Sequence, residues 1–96
     1  MGMSKSLASY DDIRTALDRA LESENGVRIP CGSPQAAINL RQRCYYFRGL
    51  DREQSKKIYA AGDPKYNTSA YDTIVIQAID TFLYLRTGVA LVIEEL

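Results

Sequence analysis

The chain has no histidine and no tryptophan, and its only cysteines are Cys31 and Cys44. Without histidine, Ser–His and Cys–His nucleophilic catalysis and every histidine-containing metal site are excluded. Two cysteines alone cannot close a structural zinc site or build the disulfide framework of a small secreted domain. No metal, no cofactor and no catalytic residue is therefore expected. The glycines at 26, 32, 49, 62 and 88 are dispersed, so no phosphate-cradling loop is present. No apolar run reaches the roughly 18 residues that would suggest a membrane span. The N-terminal MGMSKSLASY also lacks a signal-peptide core. A cytoplasmic setting without a membrane partner is expected.

A bias of charge is missing too: twelve Lys and Arg balance twelve Asp and Glu. This argues against a polybasic, histone-like binder, but the balance is not uniform. Residues 28–65 hold eight basic and three acidic side chains, a local charge of +5. Residues 1–27 hold three and five, and residues 66–96 hold one and four, so both ends are acidic. With a Debye length of about 8 Å in physiological salt, the basic middle acts nearly independently of the acidic ends.

What is present suits one small globular domain: 96 residues, 46% hydrophobic and 25% charged. Residues 1–8 read as a flexible N-terminus and 9–96 as a single domain. A first helix is expected from Tyr10 to about Glu24, capped by Ser9 or Asp11. Ile13, Leu17 and Leu21 repeat every fourth residue along one apolar face. Asn25-Gly26 is a stop signal, and Val27–Pro30 alternates as a short strand should. Ser33-Pro34 then supplies an N-cap and a first-turn proline. The central helix is expected to run to about Arg48, with Gly49 as its exit. A further short helical stretch follows, beginning at Asp51, and residues 61–72 form a long loop.

The segment from Thr73 onward is dense in β-branched and aromatic residues and reads as strands. Turns at Asp80-Thr81 and Thr87-Gly88 would make it a three-stranded meander. Helical spacing from Asp72 to Thr87 gives the competing reading, in which the chain is mostly α. The predicted fold is α+β: an N-terminal helix, a short strand, and a central helix packed on a mostly antiparallel C-terminal sheet. Its last strand, Val89–Glu94, is placed at an edge that invites homodimerisation.

The central helix carries the clearest functional pattern. At 100° per residue, Ala37, Leu40, Cys44 and Phe47 fall within a stripe about 80° wide, the expected buried face. Arg41 and Arg48 lie along one rim and Arg43 along the other. Tyr45 and Tyr46 point further out. Were the helix to continue through Gly49, Arg41, Tyr45, Arg48 and Arg52 would form one continuous stripe, extended by Lys56 and Lys57. Guanidinium groups bind phosphates and aromatic rings stack on bases, so this pattern predicts a non-enzymatic nucleic-acid-binding or regulatory protein, with DNA or RNA as partner. The same residue types dominate protein–protein hot spots, so an adaptor or inhibitor of another protein is the alternative. The same glycine supports a helix-turn-helix reading, with the second helix carrying Arg52, Lys56 and Lys57. A secondary site is expected in the loop, where Lys65, Tyr66, Asn67 and Tyr71 combine polar and aromatic contacts.

Overall fold

The computed structural model describes residues 4–87, with side chains from Tyr10 onward. The described elements are α1 (Ser4–Glu22), β1 (Val27–Pro30), α2 (Pro34–Ile58), β2 (Val75–Ile79) and β3 (Phe82–Arg86). The fold is α+β, as the sequence predicts, and residues 75–86 form strands rather than a helix. All pairings are antiparallel, in the order β1-β3-β2. The meander's third strand and the proposed dimer edge, Val89–Glu94, lie outside the described residues.

Two helix boundaries differ from expectation. Helix α1 begins at Ser4 rather than near Tyr10, so Ser9 and Asp11, the expected caps, lie within it. Helix α2 is one element of 25 residues that passes through Gly49. Apart from its chain neighbours and the helix's own backbone, no described heavy atom lies within 4 Å of a Cβ added there. The helix-turn-helix reading therefore falls. Gly49 weakens a helix by roughly 0.5–1 kcal/mol relative to alanine but does not oblige it to stop. Buried side chains on both sides, Phe47 and Ser55, hold the helix to the body of the protein across that weak point. The N-terminus of α2 forms as predicted. Ser33 is extended, its Oγ accepts from the Ala36 N–H at 3.1 Å, and Pro34 opens the first turn.

Both helices cover the same side of the sheet. Ile13, Leu17 and Ala20 come from α1, while Cys44 and Phe47 come from α2. They meet Ile76 of β2 and Leu83 and Leu85 of β3. Tyr71 and Ile74 complete this core from the loop before β2. The β1–β3 pairing draws the chain tight at Gly26, whose φ is +84°. A Cβ there would sit 2.5 Å from the Leu85 carbonyl oxygen, so close backbone approach and the left-handed conformation both demand glycine. At the β2–β3 turn, Asp80 takes a φ of +58° between Ile79 and Phe82, which pair directly.

Candidate functional site

The stripe on α2 forms, but most of it faces the protein's own loop and sheet. Arg48 Nη1 donates to the carbonyl oxygens of Tyr71 at 3.2 Å and Ile74 at 3.0 Å. The same guanidinium lies 5.3 Å from the centre of the Tyr45 ring. Tyr45 in turn donates its hydroxyl to the Ile76 carbonyl at 3.3 Å. Arg52 pairs with Asp72 at 2.6 Å and also donates through Nε at 2.8 Å. Burial alone would raise the Asp72 carboxyl, but the Ser69 N–H and Arg52 outweigh it and hold it below its ordinary value. These contacts fasten the segment before β2 to the helix. Hydrogen bonds to a charged donor contribute roughly 1.5–3 kcal/mol each, so Arg48 is an anchor.

The remaining helix residues are dispersed. Arg41 Nε is shielded from solvent and meets no acceptor among the described residues. Arg43 lies on the opposite rim and, with Arg48, pulls down the Cys44 thiol. Burial dominates there, and the thiol is pushed up to about 11. Tyr46 is exposed and stacks on Tyr10, with ring centres 6.5 Å apart. Lys56 pairs with Glu53 at 3.1 Å, one turn back, and Lys57 is exposed.

The loop site divides, with Tyr71 held internally and Lys65 and Asn67 exposed. Tyr71 is buried, and its hydroxyl donates to Asp18 of α1 at 2.7 Å. Lys65 lies 5.6 Å from the Tyr59 ring centre, and its N–H donates to Asp63. Asn67 adopts a positive φ and Tyr66 is half-buried. Buried Ser55 links helix and loop by donating to the Arg52 carbonyl and accepting from the Thr68 N–H. Among the described residues, no group of three or more potential metal ligands gathers anywhere.

The outer face of the sheet offers a different surface. Alternation along β3 places Leu83 and Leu85 in the core and Phe82, Tyr84 and Arg86 on the opposite side. The same rule places Arg28 and Pro30 of β1, and Val75, Gln77 and Ile79 of β2, on that side. Register brings them into rows. Arg28, Tyr84 and Gln77 are cross-strand neighbours, as are Pro30, Phe82 and Ile79. Arg28 lies over the Phe82 ring at 4.5 Å, and the Phe82 and Tyr84 rings are 6.2 Å apart at 53°. Arg86 Nη2 donates to Gln77 Oε1 at 2.9 Å. Val75 and Ile79 are 41% and 51% exposed, so no described element covers this face at β2. None of these eight positions is acidic.

Phe82, Tyr84, Arg28, Gln77 and Arg86 were not singled out by the sequence analysis. Their local signal is the alternation of FLYLR and VRIP. What brings them together is the pairing of β1 with β3, which joins segments more than fifty residues apart. Compared with known proteins, the chain matches no family, no curated relative and no solved structure. No described helix is long and apolar enough to cross a membrane.

Proposed function

We propose that this protein is a small non-enzymatic domain that binds single-stranded nucleic acid on the outer face of its sheet. One observation carries the reading. A sheet face that no described element covers sets two half-buried aromatic rings side by side, with Arg28 over one, Arg86 beside them, and no carboxylate among its strand positions. Unpaired bases stack on exposed aromatic rings and guanidinium planes, at roughly 1–3 kcal/mol per base. The two arginines give the face a positive character that suits a phosphate backbone. Duplex is disfavoured because its bases are not available for stacking.

The test is fluorescence polarisation with labelled single-stranded and duplex oligonucleotides across a salt series. Single strands should bind more tightly. If Arg28 and Arg86 each neutralise one phosphate, log K should fall with log salt at a slope of about −1.4. Arg28→Ala, at an exposed position, should retain the fold and lose affinity. Absence of binding at low salt contradicts the proposal.

A protein-interaction module is the second reading, supported by the exposed apolar side chains Val75 and Ile79 on the same face. It predicts a stoichiometric protein partner whose affinity changes little with salt.

A further inference from the structure

Gln77 occupies the outward side of β2 and pairs across the sheet with Tyr84. Opposed side chains on neighbouring strands have Cβ atoms roughly 4.5–5.5 Å apart. The edge of a base stacked on Tyr84 therefore comes within reach of the Gln77 amide. That amide is not free to choose its orientation. Arg86 Nη2 contacts it at 2.9 Å, and a guanidinium can only donate. The amide oxygen must face Arg86, which leaves the NH2 group turned away from it as the group offered to a ligand.

A glutamine with both ends available reads adenine bidentately, accepting from the exocyclic amine and donating to a ring nitrogen. With its oxygen turned toward Arg86, Gln77 offers its NH2 end first, and bidentate reading of adenine would need the oxygen's second lone pair to reach the same base edge. The leading contact is therefore a donor. Uracil and thymine present two carbonyl oxygens on their pairing edge, whereas adenine presents an amino donor beside a single ring acceptor. Resting on the single-strand reading above, we infer that Gln77, oriented by Arg86, selects keto bases over adenine at the Tyr84 position.

The experiment compares oligouridylate and oligoadenylate of equal length by polarisation, using the full chain and two variants. The unaltered protein should prefer oligouridylate by about tenfold, the lower part of the range for one specific base contact. Gln77→Ala should bring the two affinities to within about twofold of each other. Gln77→Glu preserves the Arg86 contact as an ion pair but replaces the donor with an acceptor. It should invert the ratio while lowering both affinities. Circular dichroism verifies that each variant is folded. Equal binding of both oligomers by the unaltered protein, with a ratio unmoved by either variant, overturns the base-selection inference and leaves the single-strand reading standing. Binding of neither oligomer overturns both.

Discussion

Individual side chains show which sequence signals carried through. Ala37, Cys44 and Phe47 are buried where helical spacing placed them, because periodicity reports directly which side of a helix faces the core. Tyr45, Arg48 and Tyr71 carry the opposite lesson. Their residue types suit recognition, yet their polar atoms satisfy backbone carbonyls and a carboxylate elsewhere in the chain. Composition cannot separate these uses, since the partners lie 23 to 53 residues away. Cys44 gives a pH-dependent prediction. Its thiol is raised from 9.0 to about 11, and burial also raises the Tyr71 phenol. The stabilisation from a raised group is complete below its unfolded value and disappears as pH climbs through its folded value. Stability should therefore be flat below about pH 8 and fall between about pH 9 and 11, with a shallower decline in Cys44→Ala. Urea unfolding at stepped pH measures this directly. At Gly26, alanine should cost about 2 kcal/mol or more through left-handed strain and contact with the Leu85 carbonyl, read as a lower urea midpoint.

Among the elements, β1 begins and ends where its alternation indicated, and α2 starts at its Ser-Pro cap. Local chemistry decides such features, so they were legible. The end of α2 was not. Gly49 reads as an exit in sequence, while packing of both flanking turns carries the helix nine residues further, to Ile58. This yields a prediction of unusual sign for a glycine substitution. Because an added Cβ meets no described atom beyond its chain neighbours and its own helix backbone, Gly49→Ala should stabilise the protein by about 0.5–1 kcal/mol, raising the urea midpoint with an unchanged m-value. A decrease would show that the helix is interrupted there. Arg48→Met tests the anchor between α2 and the segment before β2. Removing a charged donor from two carbonyls should cost about 2–3 kcal/mol, while oligonucleotide affinity of the folded fraction stays unchanged.

On the scale of the whole molecule, the described structure is a two-layer arrangement with both helices on one side and an uncovered sheet face on the other. The α+β class was legible from helical periodicity in the first half of the chain and from the density of β-branched and aromatic residues after Thr73, where helical spacing pointed the other way. The order β1-β3-β2 was not, because strand pairing over long separations leaves no local trace. That order moves the candidate surface from the basic helix to the sheet. The positive middle of the chain contributes to both, but Arg28 reaches the sheet face only by pairing beside β3. The most direct test is an amide chemical-shift titration with a short single-stranded oligonucleotide. The account predicts that the largest perturbations fall on β1, β2 and β3, centred on Arg28, Gln77, Phe82 and Tyr84. Perturbations concentrated on α2 between Arg41 and Lys57, or none at saturating oligonucleotide, would contradict it.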